Sequence, residues 1–199
     1  MEKALYPIIR SPFLMGKNDI QVTILFSGGL DSTACIYYYI SQGLNVRAIF
    51  IDYGQKACRK EYYSAVKIAS HFNIKLSLNT FKSENEFKSS EIKGRNAFLV
   101  LAALISDPLI KGIIALGIHS GTPYYDCTDL FVNDINRILQ GYYDGKVILE
   151  APFLHWNKRM IYNYSLDNNL PICLTYSCEN GTDVPCGKCL SCLDRRALC

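Results

Sequence analysis

Two short stretches of this chain combine residue types and spacings that suit chemistry. The first is ILFSGGLDST, Ile24 to Thr33. An apolar run gives way to Ser27, the pair Gly28 and Gly29, then Asp31, Ser32 and Thr33. Adjacent glycines let a main chain curl round an anion with no Cβ in the way. Backbone N–H groups opening a helix add a favourable dipole, and the hydroxyls add donors, so the stretch reads as a phosphate cradle. No Gly-Lys-Ser/Thr follows, so it is not a Walker A loop, and its glycines do not match the dinucleotide fingerprint. The second stretch is SCENGTDVPCGKCLSC, where Cys178, Cys186, Cys189 and Cys192 are closely spaced. Four thiolates form a closed, structural shell around zinc; they also suit an iron–sulfur cluster, and spacing leaves both open.

The elements needed to position these groups are legible in the apolar pattern. Strands are expected at 21–26, 45–52, 74–78, 112–118 and 147–151. Helices are expected at 32–42, with Gly43 as its C-cap, at 61–72, 96–106, 129–140 and 158–167. Asp129 or Thr128 is the candidate cap for the fourth helix and Asn157 for the fifth. Strands alternating with helices of this length imply an α/β fold, a Rossmann-like parallel sheet with helices on both faces. In such a sheet ligands bind beyond the carboxyl ends of the strands, where the glycine stretch falls. The polar run Ser83 to Glu91 reads as a loop. From Ile172 onward glycines and cysteines replace the periodic pattern. The expected organisation is an N-terminal arm over 1–20, a nucleotide-binding domain over 21–171 and a small cysteine-rich, zinc-binding segment over 172–199.

Composition narrows the classes. The 199 residues are 49% hydrophobic and 20% charged, with a net charge of +3, which makes a nucleic-acid surface an unfavoured reading. No run approaches the roughly 20 apolar residues of a membrane span. Arg10, Pro7 and Pro12 interrupt the N-terminal apolar residues, so a secretory signal is not expected there. The nine cysteines then suit a reducing cytoplasm and metal binding over disulfides.

SGGLDS resembles the S-G-G-x-D-S/T signature of the PP-loop ATP pyrophosphatases, which cleave ATP between its α and β phosphates. Further pieces, in order, resemble the 7-cyano-7-deazaguanine synthases: DYGQ at 52–55, GRN at 94–96, YDC at 125–127, and the cysteine cluster followed by CLDR. The resemblance runs from about Gln21 to Arg196. It implies an adenine nucleotide alpha hydrolase-like fold and an ATP-dependent carbon–nitrogen ligase of the queuosine pathway. Its substrates would be 7-carboxy-7-deazaguanine and ammonia, with ATP, catalytic Mg2+ and structural Zn2+, and with a homodimer as one option. By the same resemblance Phe26, Ser27, Gly28, Gly29, Leu30, Asp31, Ser32 and Thr33 would hold ATP. Ser27, Asp31 and Ser32 would serve catalysis, with Asp31 near the magnesium ion.

Lys158, opening a helix after the fifth strand, is either a phosphate contact or a solvated lysine. Tyr53 could stack on a deazaguanine or lie in the core. Gln55, Asn96 and Asp126 could read its edge. Arg95 could pair with the substrate carboxylate, or with Asn96 merely cap the following helix. The chain departs from the family near this presumed pocket. Cys58 stands where a histidine is usual, the segment before GRN is short, and Tyr125 replaces a proline. Alternatives are a related ligase joining the acid to another amine, such as a protein terminus, a tRNA thiolase, and a non-catalytic ATP-binding regulator.

Overall fold

The computed structural model describes residues 20–81, 92–121 and 123–198. The expected N-terminal arm, apart from Ile20, and the expected loop at 83–91 lie outside the described residues. The elements run β1 (Gln21–Leu25), α1 (Leu30–Ile40), β2 (Asn45–Asp52), α2 (Cys58–His71), β3 (Leu76–Thr80), α3 (Arg95–Ser106), β4 (Gly112–Ala115), α4 (Asp129–Tyr143), β5 (Val147–Glu150), α5 (Lys158–Asp167) and α6 (Leu190–Leu198). Short 3-10 turns at Tyr125–Cys127 and Ile172–Leu174 complete the order.

All five strands pair in parallel, in the order β3-β2-β1-β4-β5. Side chains alternate between two apolar layers, because successive residues of a strand point to opposite faces. Val22, Ile24, Ala48, Phe50, Ile113 and Ala115 join one core with α1, α2 and α5. Leu25, Ile49, Ile51, Ile114 and Leu149 join the other with α3 and α4. Strands covered on both sides read as near-continuous apolar runs, which is why the sequence marks them clearly. The order reverses at β1, whose neighbours are β2 and β4, so the crevice at the carboxyl ends of β1 and β4 is the topological switch point.

Several boundaries differ from expectation. Helix α1 begins at Leu30 rather than Ser32, with Gly29 as an N-cap that offers no side-chain bond. This puts Asp31 and Ser32 in the first helical turn. Helix α2 starts three residues earlier than expected, at Cys58. The nine-residue α6 was not expected at all; it carries Cys192 and Arg195. It is held at both ends by side chains from elsewhere. Glu179 Oε1 accepts from the N–H (3.1 Å) and hydroxyl (2.8 Å) of Ser191, while Arg159 donates to the carbonyls of Leu198 and Ala197. Leu198 is buried in the first core, with Ile172 and Leu174 packed against it.

Helix α5 begins where Asn157 Oδ1 accepts from Met160 N at 2.9 Å, the cap foreseen for it. This cap fixes the first turn and with it Lys158. Asn157→Ala is expected to cost about 1 kcal/mol, a fall of about 2–4 °C in Tm for a chain of this size. Thermal unfolding followed by circular dichroism checks it.

Candidate functional site: a glycine loop, a cleft and a thiol knuckle

Between β1 and α1 the chain makes a tight curl. Gly28 has φ of +74°, and a Cβ there would lie 2.6 Å from the Glu61 carbonyl oxygen and 2.9 Å from Ala65 N. The loop is thus pressed against α2 at a point only glycine can occupy. Its carbonyl accepts from Tyr176 N at 3.0 Å and from Ser64 Oγ at 2.9 Å, and Ser64 Oγ also contacts the Leu174 carbonyl. On the β4 side, a Cβ on Gly117 would meet Ser32 N at 2.8 Å, so the chain after β4 closes directly over the first turn of α1.

Loop hydroxyls bond within the loop. Ser27 Oγ lies 3.2 Å from Ser32 Oγ, and Thr33 Oγ1 donates to the Gly29 carbonyl at 2.7 Å. Asp31 is the charged centre. Its Oδ2 pairs with Lys158 and faces His119 Nε2 at 3.9 Å, while its buried Oδ1 has no hydrogen-bond partner among the described residues. A buried carboxylate oxygen left unsatisfied is costly unless something charged or donating completes it, and a hard divalent cation such as Mg2+ fits this oxygen donor. Lys158 is therefore at the loop, paired with Asp31, and is not a freely solvated lysine.

His119 is a site neighbour that the sequence did not single out. Its Nδ1 accepts from Gly121 N at 3.0 Å, which leaves Nε2 as the N–H of the neutral ring. Burial pushes its pKa down and Lys158 acts the same way; Asp31 and Asp194 oppose them. No spacing rule links a histidine after the fourth strand to an aspartate after the first. Only the parallel order brings them together.

A cleft of roughly 530 Å³ opens from this loop. Phe26, Ser27, Gly29, Leu30, Asp31, Ser32 and Lys158 line one part of it. Gly28 and Thr33 are not among the described residues that line it: both are buried and shape the loop from beneath. Tyr53, Gln55, Arg95 and Asn96 line the other part, together with Glu61, which the sequence reading passed over. Asp126 is not among the described lining residues; its main-chain carbonyl accepts from Asn96 Nδ2 at 3.2 Å. Gln55 is occupied by its own turn. Its Oε1 accepts from Tyr53 N at 3.0 Å, and its Nε2 donates to the Ile51 carbonyl and to Glu61 Oε2, both at 3.2 Å. Tyr53 stands edge-on to Phe98, ring centroids 6.3 Å apart. Burial raises its pKa, with the Arg95 charge as the main opposing influence. The third wall is the segment after α5, including Tyr176, Glu179, Asp194 and Arg195. Arg195 ties this wall together by donating to the carbonyls of Thr175 and Ile172, each at 3.1 Å.

Behind that wall the four cysteines converge, with ligand atoms of Cys178, Cys186, Cys189 and Cys192 all within 4.8 Å of one another. Main-chain donors already point at sulfur: Cys186 N to Cys178 Sγ and Cys189 N to Cys186 Sγ, each 3.4 Å. Burial pushes the Cys178 thiol up, but donation from Cys186 N and the Thr182 hydroxyl outweighs it and brings the pKa down to about 5. Cys192 is instead pushed up to about 12, first by burial and then by the neighbouring thiols. Such a group favours thiolates only if a cation neutralises their mutual repulsion, which is what a bound metal does. No disulfide joins the described cysteines.

A parallel sheet with a Ser-Gly-Gly loop and an acidic first helical turn at its switch point defines a PP-loop nucleotide-binding protein of the ATP pyrophosphatase type. Likeness in fold agrees: the U34-tRNA thiolase NcsA from Methanococcus maripaludis, solved with its [4Fe-4S] cluster, superposes with a TM-score of 0.57 at 17% identity, over 92% of this chain and 65% of its own. The family model described as queuosine biosynthesis protein QueC matches residues 21–90 and 76–198, and the chain belongs to that family. Among curated relatives, the 7-cyano-7-deazaguanine synthase of Campylobacter jejuni subsp. doylei is 31% identical over 86% of this chain and 89% of its own length. That of Prochlorococcus marinus (strain MIT 9312) is 29% identical over the same shares. The two matched stretches overlap at 76–90.

Two outcomes follow from this geometry. Gly28→Ala is expected to lower Tm by several degrees and to abolish ATP binding, read by calorimetry, because the new Cβ meets backbone at 2.6 Å and cannot be relieved by a rotamer change. Cys189→Ser is expected to lower bound metal and Tm together, checked by elemental analysis and thermal melts; an unchanged Tm in metal-depleted protein would refute a structural role.

Proposed function

We propose that this chain is an ATP-dependent ligase that converts 7-carboxy-7-deazaguanine and ammonia to 7-cyano-7-deazaguanine. The observation that carries this reading, beside family membership, is the loop at the switch point, where Asp31 presents an unsatisfied carboxylate oxygen next to Lys158. In the first half-reaction a carboxylate oxygen of the acid attacks the α-phosphorus of ATP. Pyrophosphate leaves and an acyl adenylate forms. Ammonia adds at the acyl carbon, AMP leaves, and a proton is lost to give the amide. The amide oxygen then attacks a second ATP in the same manner. Loss of AMP and a proton from that adduct yields the nitrile.

These steps ask little of acid–base residues. Most of the barrier is lowered by holding the nucleophile in line and by neutralising charge on the transferring phosphoryl group. Main-chain N–H groups at Gly29 and the first turn of α1, the Ser27 and Ser32 hydroxyls and the Lys158 ammonium would do this. Mg2+ held at Asp31 would supply further positive charge at the phosphates. Arg195 and Tyr176 close the third wall and limit entry of water to the activated acyl group, which would otherwise hydrolyse.

The thiol knuckle supports one zinc ion. At a Zn–S bond of about 2.3 Å, a tetrahedron has sulfurs about 3.8 Å apart. A four-iron cubane binds each thiolate to a different iron at its corners and so holds them farther apart than one shared ion does. Ligand atoms within 4.8 Å match the single ion. This weighs against carrying the thiolase neighbour's cluster over to this chain. The free thiols accord with a cytoplasmic setting, and no described helix is long and apolar enough to cross a membrane.

Asp31→Ala is expected to reduce AMP formation by at least about a thousandfold while Tm stays within a few degrees and metal content is unchanged. The assay incubates protein with ATP, ammonium and the acid, and resolves acid, amide and nitrile by mass spectrometry. Survival of activity in this variant would defeat the loop assignment.

A further inference from the structure

Among the described residues, Glu61 is the one carboxylate that lines the cleft beside Tyr53, Gln55 and Arg95 and that no step above uses. It lies in the first turn of α2, lines the cleft, and accepts from Gln55 Nε2 at 3.2 Å. No ion pair within 4.0 Å joins it to any described residue, although the Arg95 charge acts on it at longer range. Burial pushes its pKa up; Gln55 donation and Arg95 act the other way and favour the ionised form. Among the described residues Gln55 Nε2 is the donor that meets its carboxylate, and a carboxyl group can accept several more, so a ligand that offers adjacent donors fits it.

A deazaguanine supplies the matching set. Along one edge it presents two adjacent donors, the 2-amino group and N1–H, followed by the O6 acceptor. The carboxylate on C7 lies on the same side of the ring system as O6. Glu61 and Arg95 offer the complementary order: a pair of acceptors, then a planar fork of donors. One guanidinium can serve both O6 and the neighbouring carboxylate, because those two acceptors are close in the acid itself.

We propose that Glu61 is the specificity-determining residue, accepting N1–H and the 2-amino group of the base in a bidentate pair, with Gln55 as the positioning residue that aims it. This deepens the function proposed above and rests on it for the identity of the acid. Gln55 spends both amide protons on the Ile51 carbonyl and Glu61 and one lone pair of Oε1 on Tyr53 N, so its main part is to aim Glu61. Arg95 fixes the O6 and carboxylate side, and Tyr53 borders the ring.

The test compares two acids, 7-carboxy-7-deazaguanine and its analogue lacking the 2-amino group. Equilibrium binding is measured by calorimetry and AMP formation by steady-state kinetics. A site built to bond a donor rejects the analogue that lacks it. The parent protein is expected to prefer the 2-amino acid by at least about a hundredfold. Glu61→Gln is expected to cut that preference below about tenfold, with KM for ATP, Tm and metal content unchanged. Glu61→Asp retains the preference at reduced affinity, which shows that the carboxylate and not the bulk matters. Gln55→Met is expected to raise the Kd for the 2-amino acid several-fold without altering the Kd for ATP. A parent that binds both acids equally or binds neither, or a Glu61→Gln variant that keeps the full preference, overturns the assignment. If the parent prefers the 2-amino acid and Glu61→Gln loses that preference, yet no AMP forms, the reaction fails and the role of Glu61 stands.

Discussion

The Gly28 carbonyl is where the site is held together. Three segments remote in sequence meet there: the loop itself, Ser64 of α2, and Tyr176 from the segment leading to the cysteines. A hydrogen bond of this kind contributes only about 1 kcal/mol net, so its importance is geometric. It sets the distance between the phosphate loop, the floor beneath it and the wall facing it. That distance is possible only because position 28 has no Cβ to keep α2 away. The curl of the loop, the height of the cleft and the seat of the C-terminal segment all follow from this close approach.

The C-terminal segment is correspondingly a working part of the site. Its thiol knuckle, which could hold a metal, lies behind Tyr176, and α6 carries both a candidate ligand, Cys192, and the wall residue Arg195. With Glu179 at one end and Arg159 at the other, the short helix is fixed without needing intrinsic stability, which nine residues would not provide alone. A closed shell of thiolates would therefore act as the rivet for one side of the nucleotide cleft, at a distance from the reacting atoms.

Much of this was legible from the residues. The β2 and α5 boundaries, the five parallel strands and both chemical stretches follow from apolar runs covered on two faces and from local spacing. What was hidden has separate causes. Helix α6 escaped notice because it is only nine residues long and follows a run of glycines and cysteines that reads as loop, although its own residues are amphipathic. His119 belongs to the site only through strand order, which local pattern does not encode. Glu61, by contrast, stands six residues after Gln55, in the first turn of α2, and reads in the sequence only as part of a helix. Gln55 has the right chemistry to read a base, yet its neighbours have already taken both its donors and one of its two acceptor positions. Asp126 looked like an edge reader, but its main chain is what meets Asn96. Residue type states what a group can do; only the surroundings state whether that capacity is still available.

Glu61 has one further consequence. Its backbone oxygen is the atom that an added Cβ on Gly28 would strike, and the residue also lines the cleft. One turn of α2 thus abuts the glycine loop through its main chain and borders the cavity as well. The two contacts are separable: exchanging the Glu61 side chain changes the lining, while the curl of the loop stays governed by the missing Cβ at position 28.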